Sequence, residues 1–105
     1  MKMIRAVVRP EREEAVLNSL EAAGFPSVTK MDVLGRGKQK GIQVGATTYD
    51  ELAKTMLMLV VDDRKLEAAI EAIRSGAITG NPGDGKVIIS PVDEVYTIRT
   101  GQTGL

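Results

Sequence analysis

The chain has 105 residues, the size of one domain with a two-layer core, and its 14 basic and 14 acidic side chains cancel. No overall field therefore draws it to nucleic acid or to a membrane, and three aromatics (Phe25, Tyr49, Tyr96) are too few for base-stacking platforms. With no cysteine and no histidine it has no disulfides, no thiolate or imidazole metal ligands, and no Ser–His or Cys–His nucleophile.

Met3 to Val8 reads as a mostly apolar, central strand, and the apolar run is too short for a signal segment or a membrane span, so a cytoplasmic location is the expectation. Pro10 stops the strand and suits a first helical turn. A helix follows from Glu11 to Ala23, with Val16, Leu20 and Ala23 on one face and Gly24 as its stop. Ser27 to Leu34 is a second strand, and the continuous apolar run Thr55 to Val61 is a third. Asp62 is an N-cap for a second helix, whose stripe is Leu66, Ala69, Ile70 and Ile73, ending near Ser75. Lys86 to Ser90 is a fourth strand, broken by Pro91, and Val95 to Ile98 a short final one.

The order predicts an α+β, ferredoxin-like βαββαβ sandwich, a single domain over 1–105, with a short extra C-terminal strand. Helices cover one sheet face only. The other face is apolar in runs, and oligomerisation is the economical way to cover it. The connection from Gly35 to Lys54 is much longer than a hairpin needs and is the first candidate for partner contact. Within it Thr48-x-x-Glu51 fits a capping box, so residues 49–53 are expected to form a helical turn.

Two glycine-rich loops carry lysines: Gly35-Arg36-Gly37-Lys38-Gln39-Lys40-Gly41, and Thr79-Gly80-Asn81-Pro82-Gly83-Asp84-Gly85-Lys86. Glycines let several N–H groups converge on one concavity, and an adjacent ammonium suits phosphate oxygens. Neither loop has Walker A or GxGxxG spacing. A solvated surface loop is the alternative for the first, and a plain helix-to-strand turn for the second. Gln39 can ligate Mg²⁺ through its amide oxygen where lysines cannot. Arg9 and Arg99 read as solvated charges, Lys54 as an edge-protecting residue, and Asp62-Asp63 as capping. No carboxylate pair suggests catalysis, so the residues argue for binding.

The linked set QKG at 39–41, TGNPGDGK at 79–86 and IRTG at 98–101, with MKMIRAVVRP, VVDD at 60–63 and SPVDEV at 90–95, resembles the PII signal-transduction family over essentially the whole chain. The stretch TKMDVLGRGKQKGIQVG and the shortened loop are most similar to its nitrogenase-associated branch. The resemblance implies a trimer with sheets packed inward, either a homotrimer or a mixed oligomer with a paralogous subunit. It also implies effector sites between subunits for ATP or ADP, with AMP also open, and for Mg²⁺ and 2-oxoglutarate. The long loop (the T-loop, about 36–54) would dock on a nitrogenase component, with no nucleic acid and no membrane insertion. Nitrogen scarcity would fill the sites and release the target; nitrogen plenty would bind and inhibit it. The protein would be a regulator and not an enzyme.

By position, the resemblance assigns nucleotide binding to Thr29, Gly35, Gly37, Lys38, Gly83, Asp84, Gly85, Lys86 and Arg99. It assigns 2-oxoglutarate to Gln39, Lys40, Gly41 and Lys54, and Mg²⁺ to Gln39. Three departures stand out. Lys38 replaces an arginine of the best-known members, trading a bidentate fork for a point charge. Thr97 replaces a second arginine, removing roughly 1–3 kcal/mol of charge-assisted bonding. Tyr49 does not align with the tyrosine some members have uridylylated, so uridylylation is not expected. An ammonium transporter or glutamine synthetase is the alternative target; a phosphate-ester enzyme and a purely structural trimer are readings from other classes.

Overall fold

The computed structural model describes residues 1–36, 42–44, 47–49 and 51–105. Its elements are β1 (Lys2–Val8), α1 (Glu13–Ala22), β2 (Thr29–Gly35), β3 (Ile42–Val44), β4 (Thr47–Tyr49), β5 (Leu52–Val61), α2 (Leu66–Ala77) and β6 (Gly85–Pro91). Four strands form one antiparallel sheet in the order β2-β5-β1-β6, while β3 and β4 form a separate two-stranded ribbon. This is the expected ferredoxin-like arrangement, with each βα unit crossing over to a non-adjacent strand.

Alternation decides which residues are inside. Ile4, Ala6 and Val8 on β1 are buried on the helix side, beside Leu57, Leu59 and Val61 on β5. Val16 and Leu20 of α1 and Ala69, Ala72, Ile73 and Ala77 of α2 complete this core. The two helices meet almost backbone to backbone: a Cβ on Gly76 would lie 2.8 Å from the Val16 Cα. Arg12 donates from Nε to the Gly76 carbonyl at 2.9 Å, placing a cation at the C-terminal end of α2.

Local chemistry explains the element ends. Pro10 starts a 3₁₀ turn over Pro10–Arg12, and α1 begins only at Glu13, so the predicted helix is divided at its first turn. It closes as a Schellman motif, Phe25 N to Leu20 O at 2.8 Å and Gly24 N to Glu21 O at 3.0 Å. Asp62 is a cap, accepting from Arg64 N at 2.9 Å, but what it caps is a 3₁₀ turn over Asp63–Lys65, with α2 following from Leu66.

Four expectations need revision. The helical turn at 49–53 is not formed: Thr47–Tyr49 is strand, and Leu52 and Ala53 pair with Gly35 and Leu34. Glu51 instead forms an ion pair with Arg36 at 3.6 Å. A single turn has a costly nucleus, whereas residues 52–53 only extend an existing ladder. For the same reason β5 starts three residues earlier than its apolar run, and Lys54 lies within a central strand, not at an edge. Pro91 does not break β6 but closes it, opposite Lys2, which an edge strand tolerates. The short C-terminal strand at 95–98 takes the form of one bridge, Tyr96 with Thr103, closed by Thr97 N to Gln102 O at 2.9 Å.

The opposite sheet face carries Met3, Arg5 and Val7 of β1, Met56, Met58 and Val60 of β5, Met31 of β2 and Ile88 of β6, placed there by the pairing register. Neither helix packs on it: Met31 is 43% exposed and Ile88 48%. A row of thioethers and branched aliphatics is thus left half in water, as the apolar runs implied.

Candidate functional site

Four strand ends converge at one end of the sheet. Val8 lies opposite both Thr55 and Gly85, and Gly35 lies opposite Leu52, so Arg9, Gly35, Lys54 and the start of β6 are neighbours. The loop Thr79–Asp84 leads from the end of α2 into that corner. Its shape is set by one carboxylate. Asp84 accepts from Thr79 N at 2.8 Å, Gly80 N at 2.9 Å, the Thr79 hydroxyl, and Arg9 Nε at 3.1 Å. Arg9 also donates from its second terminal nitrogen to Pro82 O at 2.7 Å, and Lys54 Nζ donates to Gly83 O at 2.8 Å.

The electrostatics follow from these contacts. Hydrogen bonds from Thr79 above all, and from Gly80 and Arg9 after it, hold the Asp84 carboxyl far below its usual range. Burial, and then the neighbouring Arg9 charge, push the Lys54 ammonium below its ordinary value.

A pH prediction follows from Asp84. Its folded pKa lies below the unfolded value of about 3.9, so its contribution to stability is present above that value and is lost as pH falls toward the depressed one. Asp84→Asn should therefore flatten the loss of stability below about pH 4. Urea midpoints across that range check it; parallel curves for the two proteins would reject the contribution.

The register also assigns faces. Thr29, Gly35 and Lys54 (through its partner Val33) and Lys86 (through Val7) stand on the uncovered sheet face. Lys54 and Lys86 are at the same end, whereas Thr29 starts β2 and lies roughly 20 Å along that strand from Gly35. Arg99 sits in the exposed turn 98–100. Gly37, Lys38, Gln39, Lys40 and Gly41 lie outside the described residues, and with them the Mg²⁺ and most of the 2-oxoglutarate assignments.

A cavity of about 200 Å³ opens beside the loop, between Val7 and Val8, Ile73 and Ile78, and Gly85 and Lys86. Small-molecule pockets generally run to about 300–1,000 Å³. This one is smaller, with an apolar back and polar groups at Asp84 and Lys86. No group of three or more acidic metal ligands occurs among the described residues, nor a helix long and apolar enough to cross a membrane.

Two roles escaped the sequence reading. Arg9, taken for a solvated charge, has a side chain only 14% exposed and bound into the loop. Asp84, expected among the phosphate-cradling residues, has its carboxylate turned to Thr79 and Gly80, leaving only its backbone for an anion. The only local hint of the second was an aspartate at the end of a glycine loop, where a short polar side chain can bond back to loop N–H groups.

Comparison with known proteins gives a consistent result. The family described as nitrogen regulatory protein P-II matches residues 1–102. "Nitrogen fixation nifHD region glnB-like protein 1" of Methanococcus maripaludis is 59% identical over 105 residues, covering all of both chains. Its counterpart in Methanothermobacter marburgensis is 53% identical over 105 residues, again covering all of both. Among solved structures, Arabidopsis thaliana PII bound to citrate is similar with a TM-score of 0.82 and 35% identity, covering 98% of this chain and 84% of that one.

Proposed function

Because the chain belongs to the P-II family of nitrogen regulatory proteins, we propose that it senses nitrogen and energy status by binding an adenine nucleotide and 2-oxoglutarate, and regulates nitrogenase by direct contact. The names of its full-length relatives, which place them in nitrogen fixation regions, favour nitrogenase as the target. The protein acts as a regulator, not a catalyst, in the cytoplasm.

The observation that carries the ligand reading is the corner itself: Lys54 and Lys86 on one sheet face at one end, with a braced glycine loop and a small cavity at Lys86 and Asp84. Backbone N–H groups of Gly83 to Lys86 and the Lys86 ammonium hold phosphates. Lys54 meets a carboxylate of 2-oxoglutarate, a role in keeping with the citrate in the similar Arabidopsis protein. Gln39 is the Mg²⁺ ligand, with Lys40 and Gly41 beside the 2-oxoglutarate. Gly35, Gly37 and Lys38 form the other wall, while Thr29 and Arg99 reach a nucleotide bound between neighbouring subunits.

Assembly completes the site. The uncovered face of Met3, Val7, Met31, Met56, Met58, Val60 and Ile88 supports a trimer with sheets inward, homomeric or mixed with a paralogous subunit. In this reading the T-loop changes state with the ligands bound at its root. A ligand that binds one loop state better shifts the balance between them.

Titration calorimetry with ATP, ADP and AMP, with and without Mg²⁺ and 2-oxoglutarate and with any paralogous subunit present, tests this. Lys86→Ala should weaken nucleotide binding about 10- to 100-fold, from a charge-assisted bond of roughly 1.5–3 kcal/mol. A wild-type protein that binds none of the three nucleotides overturns the reading. Pull-down of nitrogenase, against an ammonium transporter and glutamine synthetase, separates the targets.

A further inference from the structure

We infer that Arg9 is a positioning residue for the phosphate loop: by holding Pro82 O and the Asp84 carboxylate together, it aims the Gly83 amide at the bound anion without touching that anion itself. The inference deepens the nucleotide reading above and rests on it for the identity of the anion.

Three nitrogens of one guanidinium are engaged: Nε on Asp84 at 3.1 Å, one terminal nitrogen on Pro82 O at 2.7 Å, the other facing Glu11 at 3.9 Å. Such a planar fork fixes two acceptors at once, which a single ammonium does less well. The peptide bonds are trans, so each C=O is antiparallel to the N–H that follows it. With Pro82 O drawn toward Arg9, the Gly83 N–H points the opposite way. Lys54 does the same for the next peptide: Gly83 O is drawn to its Nζ, and the Asp84 N–H is turned away from that ammonium.

Two successive amides are thereby presented on the side away from the braces, which is how backbone donors form an anion-binding concavity. Asp84 anchors the other end of the loop through Thr79 and Gly80. Arg9 and Asp84 lie 75 residues apart, so the brace ties the end of β1 to the entry of β6 across the corner.

The test uses the full chain. In ligand-free protein, ¹⁵N–¹H spectra of Arg9→Met should shift the Gly83 and Asp84 amides while the resonances of α1 and α2 stay in place. In calorimetry with ATP, Arg9→Met and Asp84→Asn should each weaken binding about tenfold, and the double variant should fall well short of the hundredfold product, because the Arg9–Asp84 bond is lost in both. Adenosine, which lacks phosphate, should bind the variants as it binds the wild type.

Unmoved Gly83 and Asp84 amides overturn the inference, as do ATP losses that multiply to about a hundredfold in the double variant, the mark of Arg9 contacting phosphate on its own. If the wild type binds no nucleotide, the functional reading fails, and the ligand-free spectra still decide whether Arg9 aims the amides.

Discussion

Gly85→Ala is expected to be the most damaging small substitution in the chain. An added Cβ would fall 1.7 Å from the Val7 carbonyl oxygen and 2.8 Å from its carbon, at a residue with φ +109°. Neither partner can yield cheaply, because Gly85 sits opposite Val8 in the β1–β6 ladder. The positive φ costs an L-residue about 1–3 kcal/mol, and forced displacement of packed backbone about 1–3 more. A domain of this size has only about 5–15 kcal/mol in total, so the loss reaches a large fraction of it. Urea unfolding measures it. Gly80→Ala is the internal control: φ is +88° there too, but nothing lies within 4 Å of the new carbon. A Gly85→Ala midpoint equal to that of Gly80→Ala would mean that the close approach to Val7 is unimportant.

Met56→Asp is expected to abolish assembly while leaving the subunit folded. Met56 stands on the uncovered face between Val7 of β1 and Met31 of β2; the nearest cations on that face are Arg5 on the diagonal and Lys54 two residues along the strand, the latter already bonded to Gly83 O. In the proposed trimer its carboxylate would be stranded in an apolar interface, at a cost of several kcal/mol. In a lone subunit the same group faces water and costs little. Sedimentation equilibrium should find a trimer for the wild type and a monomer of unchanged circular dichroism for the variant. A trimeric Met56→Asp would place the subunit contact elsewhere, and a monomeric wild type would remove the trimer altogether. Nucleotide affinity should fall with assembly if, as proposed, the site lies between subunits.

Both predictions come from strands whose existence was readable at once and whose neighbours were not. The apolar alternation of Ile4, Ala6 and Val8, the run from Thr55 to Val61, and the stripe of Leu66, Ala69 and Ile73 are local patterns with a period, and they fixed strand, strand and helix. The missed helical turn at 49–53 failed for the complementary reason. A capping box is a local signal of small size, and the ladder partners Gly35 and Leu34 that outweighed it lie many residues away. Gly76 gave no signal either. In a helix it reads as a weak residue, and only the crossing of α1 shows that a side chain there would strike Val16.

The candidate site divides in the same way. Residue type and order were enough for two glycine loops, a lysine beside each, and the family, since these depend on backbone freedom, charge and motif order that a short stretch carries with it. Folding alone turned Asp84 inward to Thr79 and Gly80, drew Arg9 across to Pro82, and set Lys54 inside a central strand with its ammonium on Gly83. The last two are contacts between residues 73 and 29 positions apart, which no short stretch of sequence displays. Strand register, which decides what lies opposite what and on which face, is a property of the assembled sheet and of no segment in it.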